Sequence, residues 1–152
     1  MHKRFVRIFM LAALPLGIVV FGCSARRIES SPPDSASLVG RWRQTSIATP
    51  TQSADCPATL RLADGGTTSC ADNDVIEFNS NGTFTAMFSA TPIKASGTWR
   101  LSGNTLSLTF AAPSTVAGKS RSTTIRFVNS GKAISVNATL GDTPTIETYR
   151  RQ

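Results

Sequence analysis

Residues 74–110 constrain the fold more than any other part of the sequence, because their turns fix how neighbouring strands pair. Apolar residues alternate with polar ones up to Phe78 and again from Phe84. The two apolar sets share one face only if Phe78 and Phe84 lie opposite each other across a loop of odd length. Residues 80–82 (Ser-Asn-Gly) supply that loop as a type I turn followed by a left-handed glycine. The pattern predicts an antiparallel hairpin.

A second turn in the same segment predicts a second hairpin. Leu101 and Leu106 share a face with the neighbouring apolar residues if an even loop places them opposite each other. Residues 103–104 (Gly-Asn) have the length and the leading glycine of a type II′ turn. Because turn chemistry and side-chain alternation agree twice, the segment 74–110 is predicted to be a meander of β-strands.

Alternating apolar residues predict four further strands. They cover residues 38–47, 123–128, 133–140 and 144–150. Ile125 is expected to lie opposite Val136 across an even loop centred on residues 130–131. Residues 111–122 have no apolar pattern and are predicted to form an exposed loop. Residues 59–62 are predicted to be a short strand or a cap over one end of the fold.

These strands predict an all-β fold. Eight short antiparallel strands, mostly consecutive along the chain, most simply close as an up-and-down barrel, because closure leaves no strand edge exposed. A sandwich of two sheets is the alternative. No segment of useful length has a convincing helical period.

The first 22 residues have the pattern of a secretory signal peptide. A basic start at residues 2–7 precedes an apolar run at residues 8–21, which is short for a membrane-spanning helix. Residues 20–23 (Val-Phe-Gly-Cys) resemble the lipobox of bacterial lipoproteins, in which the cysteine becomes the lipidated first residue of the mature chain. The resemblance implies that Cys23 carries acyl chains such as palmitate. An ordinary signal peptide cut nearby is the alternative.

Residues 23–37 are predicted to be a flexible, lipid-anchored linker, because they are polar, contain two adjacent prolines and lack periodicity. Ser24 follows the cysteine, which resembles the pattern that sorts lipoproteins of diderm bacteria to the outer membrane. We therefore expect a domain at residues 38–152 that is tethered in the cell envelope, at the outer membrane and facing the periplasm.

Charge and histidine content exclude several classes of function. Of the 16 basic residues three lie in the predicted signal peptide, which leaves 13 against 9 acidic residues in the mature chain. These charges are scattered and lack the basic stripe with interleaved aromatics that is typical of nucleic-acid-binding proteins. The only histidine, His2, lies in the signal peptide, so no Ser-His-Asp or Cys-His catalytic arrangement is available. We expect neither nucleic-acid binding nor an enzyme, and no cofactor.

The two remaining cysteines, Cys56 and Cys70, are predicted to form a disulfide in a compartment that oxidises thiols. The bond would close a loop of about fifteen residues, which stabilises a fold by about 3 kcal/mol in the chain-entropy model. A metal site is the alternative, but two thiolates without a histidine are too few ligands. Asp72 and Asp74 lack the glycine and distal glutamate of an EF-hand loop, and we interpret them as turn residues. No metal site is predicted.

Three motifs, taken in their order along the chain, resemble those of a known family. The first predicted strand contains Gly40-x-Trp42, which resembles the Gly-x-Trp motif of the lipocalin superfamily. Together with the segments 70–84 and 97–110, it is similar to the lipocalin-like domain of many small bacterial lipoproteins. The resemblance spans most of residues 38–152 and implies an eight-stranded barrel.

The resemblance also implies roles for single residues. Gly40 and Trp42 would be structural residues at the floor of the barrel, and Arg150 would pack across the tryptophan, with Arg126 as a second candidate. An eight-stranded barrel either holds one small ligand or is filled by its own side chains. The side chains expected to line such a pocket, or to fill the core, include Phe84, Phe88, Trp99, Leu108 and Tyr149.

Three functions remain open at this point. The first is binding of a small apolar or amphipathic molecule by a membrane-anchored, lipocalin-like barrel. The second is a periplasmic inhibitor or protein-interaction module, for which the basic loop with Lys119 and Arg121 is the candidate surface. The third is a structural envelope lipoprotein with a solid barrel.

Overall fold

The computed structural model describes residues 34–89 and 93–152. In this part of the chain one helical turn, α1 (Ser35–Leu38), precedes eleven β-strands. The strands are β1 (Gly40–Ala48), β2 (Ser53–Asp55), β3 (Ala58–Arg61), β4 (Thr67–Cys70), β5 (Val75–Phe78), β6 (Thr83–Phe88), β7 (Ile93–Ser102), β8 (Thr105–Ala112), β9 (Ser120–Val128), β10 (Ala133–Leu140) and β11 (Thr143–Arg151). Residues 1–33, which contain the predicted signal peptide, Cys23 and most of the predicted linker, lie outside the described residues.

Eight of these strands form a closed antiparallel barrel. Strands β5 to β11 pair in sequence order, and β1 pairs with β5 on one side and with β11 on the other. In an open sheet the two outermost strands would each have one exposed edge. Closure pairs these edges with each other by hydrogen bonds. The predicted barrel is therefore confirmed, and the two-sheet sandwich is not the fold.

The predicted strand registers are confirmed at three hairpins. Phe78 lies opposite Phe84, and Leu101 lies opposite Leu106. In the hairpin of β9 and β10, Ile125 lies opposite Val136 across a four-residue loop. Each register places apolar side chains of both strands on the inner face of the barrel, where they form one core.

The predicted loop 111–122 is shorter than expected. Strand β8 continues to Ala112 and β9 begins at Ser120, because hydroxyl side chains pair across the two strands. The Oγ atoms of Ser107 and Ser122 are 3.0 Å apart, and Thr109 Oγ1 is 2.9 Å from Ser120 Oγ. Such polar pairs stabilise neighbouring strands but have no apolar pattern by which the sequence would reveal them.

A disulfide-bonded excursion covers part of one barrel end. Cys56 and Cys70 form the predicted disulfide, with Cα atoms 5.5 Å apart and a sequence separation of 14. The bond joins the start and the end of the hairpin of β3 and β4, a separate two-stranded sheet. After β3 the chain reaches the turn between β10 and β11, where Ala63 N donates to Thr143 Oγ1 at 2.8 Å. The predicted short strand at 59–62 thus also belongs to a cap.

The opposite end of the barrel is closed by a floor built around Trp42. The Trp42 side chain is fully buried, packs edge-on against Phe127 with ring centroids 6.2 Å apart, and donates from Nε1 to Leu38 O at 2.8 Å. The Arg151 guanidinium lies 4.4 Å from the tryptophan ring centroid and donates to Val39 O at 2.8 Å. The arginine therefore joins the ring to the chain that leads into β1.

The predicted floor arginine was wrong by one position. Side chains alternate along β11, so Arg151 lies on the same face as Tyr149 and contacts the Trp42 ring, whereas Arg150 lies on the opposite face. The second candidate, Arg126, is exposed and follows the buried Ile125 on β9. The predicted structural role of Gly40 fits this floor, because a Cβ there would lie 3.0 Å from Arg151 Nη1. Gly40 also has a φ of +134°, which side-chain-bearing residues rarely adopt.

Residues 35–38 were predicted as linker and strand but form the turn α1. Asp34 caps this turn, because its Oδ1 accepts from Ser37 N at 2.7 Å. The turn directs Leu38 into the barrel core, where its side chain is fully buried. The capping aspartate next to two serines was the sequence signal for this element.

Candidate ligand-binding cavity

The barrel interior contains a cavity of about 590 Å³. Inward side chains of β5, β6, β8 and β10 form most of its wall, and these are mainly aromatic and aliphatic. Cavities that hold small ligands in proteins measure about 300–1,000 Å³ and are mostly apolar with a few polar groups. The barrel is therefore not completely filled by its own side chains.

Four of the five side chains predicted to line a pocket or fill the core lie in the wall of this cavity. Phe84, Phe88 and Leu108 lie in its wall. Trp99 lies outside the wall: it packs edge-on against Phe78 at 5.4 Å between ring centroids and donates from Nε1 to Asn79 O at 3.1 Å. Trp99 is therefore a core residue, and Tyr149, also considered for this role, lines the cavity.

A polar patch interrupts the apolar wall where β11 meets β1. Tyr149 lies opposite Gln44 of β1, and Glu147 lies two positions earlier on the same face of β11. The Tyr149 hydroxyl donates to Glu147 Oε2 at 2.8 Å. Burial raises the pKa of Tyr149 well above its ordinary value of 10.0, and the negative charge of Glu147 raises it further. The tyrosine is thus held as a neutral hydrogen-bond donor.

The predicted turn residue Asp74 also contacts the cavity. Its side chain is buried, and its two carboxylate oxygens accept from Ala71 N at 2.9 Å and from Ser89 N. These backbone hydrogen bonds fit the predicted turn-forming role and occupy the carboxylate. Asp74 thus adds negative charge near the cavity while its own oxygens are already bonded.

The residues predicted as a basic interaction surface are divided between a loop and the cavity wall. Lys119 lies in the loop before β9 and is exposed, whereas Arg121 lies within β9 and contributes to the wall. Arg121 is also exposed to solvent, so it lies at the rim.

The cavity is bordered by the disulfide-bonded cap at one end and by a cleft in the barrel wall. Residues 62 and 67–69 of the disulfide-bonded cap contribute to its wall and so cover part of the open end. In the barrel wall, β9 and β10 pair only between residues 125–128 and 133–136, and a cleft of about 630 Å³ lies where they diverge. Arg121, Thr123 and Ala138 line both the cleft and the cavity, so the two adjoin each other. Thr123 Oγ1 donates to Asn137 O and joins the two strands at this point.

Residues 38–139 match the sequence model of the lipocalin-like domain. The chain belongs to the lipocalin-like domain family. This fold is generally that of binding proteins without catalytic activity. No functionally curated protein matches this lipocalin-like chain.

Solved structures include two similar bacterial proteins. A lipocalin-like protein from Bacteroides uniformis ATCC 8492 is 17% identical, with a TM-score of 0.47, over 76% of this chain and 99% of that one. An uncharacterized protein from Bacteroides eggerthii DSM 20697 is 15% identical, with a TM-score of 0.46, over 76% of this chain and 99% of that one. A redesigned β-barrel is 17% identical, with a TM-score of 0.44, over 77% and 93% of the two chains.

Neither a metal site nor a membrane-spanning helix is found within residues 34–89 and 93–152. No group of three or more histidine, cysteine, aspartate or glutamate side chains could hold a metal ion there. In the same part of the lipocalin-like chain, no helix has the length and apolar character needed to cross a membrane.

The single tyrosine of the chain provides a direct spectroscopic test of the polar patch. Because the folded-state pKa of Tyr149 is raised, we expect no tyrosinate absorbance near pH 10 while the barrel is folded. The raised pKa of Tyr149 contributes to the free energy of unfolding. This contribution is complete below the pKa of tyrosine in the unfolded chain and is lost as the pH rises through the folded-state pKa. Alkaline spectrophotometric titration measures this, with the urea-unfolded chain, expected to titrate near pH 10, as the control. Folded protein with the same midpoint would contradict the buried hydroxyl.

Proposed function

We propose that this lipocalin-like chain is a lipid-anchored envelope protein that binds one small apolar or amphipathic molecule inside its barrel. The cavity of about 590 Å³ is the observation that supports this function. An apolar cavity of this size favours a molecule that buries an apolar body and orients itself by a few polar contacts. The absence of a mature histidine argues against triad-type catalysis, and we expect no enzymatic activity.

The cavity also weighs against the structural alternative, because a solid barrel would fill this volume with side chains. The protein-interaction alternative has one supporting feature, the exposed Lys119 in the loop before β9. That loop offers a single basic side chain, because Arg121 belongs to the cavity rim. Ligand binding is therefore the function that the geometry supports best.

The membrane anchor is part of the same proposal and depends on Cys23. Acyl chains on this cysteine would hold the protein at the membrane, since each buried methylene contributes about 0.8 kcal/mol. The residues between Cys23 and α1 would then act as a tether, which leaves the barrel in the aqueous phase. We place the protein at the outer membrane, facing the periplasm.

Mass spectrometry tests both parts of the proposal. Full-length protein extracted from membranes is expected to carry acyl chains on an N-terminal Cys23, and an unmodified N-terminus would contradict the anchor. The barrel itself is measured under native conditions in a chain that begins at Ser24, which retains the whole core from Leu38 to Tyr149. We expect a non-covalent adduct that denaturation removes.

A matched pair of variants assigns this adduct to the cavity. Ala138→Phe adds a ring to the cavity wall and should abolish the adduct, whereas Ala111→Phe adds the same ring at an exposed position and should retain it. A bare mass for the parent chain, or an adduct that survives Ala138→Phe, would contradict binding inside the barrel.

A further inference from the structure

The polar groups of the cavity are gathered on one side. Gln44 and Tyr149 are cross-strand partners on β1 and β11, and Glu147 shares the inner face of β11 with Tyr149. The facing wall from β6 and β8 is apolar and includes Phe84 and Leu108. Gln44, Glu147 and Tyr149 thus form one polar side of the cavity, called the pole below. A molecule in the cavity would contact this pole on one side and apolar side chains elsewhere.

The pole retains hydrogen-bonding capacity. The hydroxyl of Tyr149 has one proton, which it donates to Glu147 Oε2, and this is the only hydrogen bond that the described residues make to the Glu147 side chain. An ionised carboxylate only accepts, so Glu147 has free acceptor sites. A ligand with N–H or O–H donors can therefore bind to it.

Gln44 provides a second polar group that a molecule in the cavity can contact. Its side chain is only 4% exposed and lines the cavity, yet its amide has no hydrogen-bond partner among the described residues. The amide of Gln44 offers an acceptor oxygen and an NH2 donor, and its oxygen is a further acceptor beside Glu147.

The charges around the pole are mainly negative. Asp74 is buried nearby with both oxygens bonded to backbone amides, and its charge, like that of Glu147, raises the pKa of Tyr149. Arg121 is the only basic side chain in the described wall; it is exposed at the rim and lowers the pKa of Tyr149, but less than Glu147 or Asp74 raises it. A positive group is therefore favoured at the pole over a negative one.

We propose that the cavity selects amphipathic molecules with a cationic, N–H-donating head, which binds between Glu147 and Gln44 while the apolar body lies against Phe84 and Leu108. A primary ammonium group fits, because its three N–H groups match acceptors on both side chains and its charge complements the carboxylate. The inference rests on the proposed ligand-binding function and adds the chemical class of the ligand.

Three probes with the same alkyl chain and different heads test the selectivity. Decylammonium, decanol and decanoate are titrated calorimetrically at neutral pH, below their micelle-forming concentrations, into the chain that begins at Ser24. We expect decylammonium to bind at least about tenfold more tightly than either other probe, as a charge-assisted hydrogen bond to a shielded carboxylate implies. Equal or tighter binding of decanol or decanoate would overturn the inference and leave the proposed function standing. Binding of none of the three would contradict the proposed function itself.

Variants assign the selectivity to the pole. Glu147→Gln keeps the shape of the side chain and removes its charge, so decylammonium should lose about tenfold in affinity while decanol is unchanged. Glu77→Gln is the matched control, because Glu77 is exposed on β5, and it should change neither. Unchanged selectivity in folded Glu147→Gln would overturn the inference. Gln44→Met provides a second variant in case Glu147→Gln does not fold, and it should also weaken decylammonium more than decanol.

Discussion

Replacing Trp42 with alanine is expected to lower the free energy of unfolding by about 3–5 kcal/mol, the usual cost of truncating a buried aromatic side chain. The side chain is fully buried and packs edge-on against Phe127. Its loss would also leave Leu38 O without the Nε1 donor and remove the ring on which Arg151 lies. The floor would thus lose packing, a hydrogen bond and a cation–π contact together.

Urea unfolding followed by circular dichroism measures this loss without relying on tryptophan fluorescence. Trp42→Phe keeps an aromatic ring but removes the Nε1 donor to Leu38 O, so it should cost less than Trp42→Ala. A loss below about 1 kcal/mol for Trp42→Ala would show that the floor contributes little to stability. Equal losses for both variants would show that the hydrogen bond, rather than packing, is the main contribution.

The strand registers were predictable because they depend on local information. The pairing of Phe78 with Phe84 follows from the turn between them and from the alternation on either side. The same holds for Leu101 and Leu106. In such hairpins a shift by one residue would turn every apolar side chain to the solvent, so one register is strongly preferred.

The polar pole of the cavity was not predictable by the same reasoning. Alternation along the last strand predicts that Glu147 and Tyr149 share a face opposite Ile146, but it does not say which face is inside. In the barrel the face with the carboxylate is inside, and Ile146 is 48% exposed. This choice is made by the pairing of β11 with β1, about a hundred residues away in sequence.

The floor arginine shows the same limit at the level of one residue. The resemblance required an arginine near the end of the last strand, and the sequence has two, Arg150 and Arg151. Only the inward direction of Tyr149, which closure of the barrel fixes, places Arg151 over Trp42. The family resemblance thus predicted that an arginine packs on Trp42, and the tertiary structure determines that this arginine is Arg151.

Replacing Gly97 with alanine is expected to lower the free energy of unfolding by about 3 kcal/mol, at the upper end of the usual cost of overpacking. A Cβ at this position would overlap the carbonyl oxygen of Thr109 and lie 2.9 Å from Phe84 Cε1. The backbones of β7 and β8 approach closely here, because the register shifts between Ser96 and Gly97. The clash is mainly with backbone, so it cannot be relieved by rotating a flexible side chain.

The neighbouring Thr98→Ala is the matched control, because Thr98 is exposed on the same strand and should change stability by no more than about 0.5 kcal/mol. Both variants are compared by the urea concentration at the midpoint of unfolding. Because Phe84 also lines the cavity, Gly97→Ala should in addition weaken binding of decanol, the uncharged probe. A midpoint for Gly97→Ala equal to that of Thr98→Ala would contradict the close approach of the two strands. A lower midpoint with unchanged decanol binding would mean that the strands move apart without displacing Phe84.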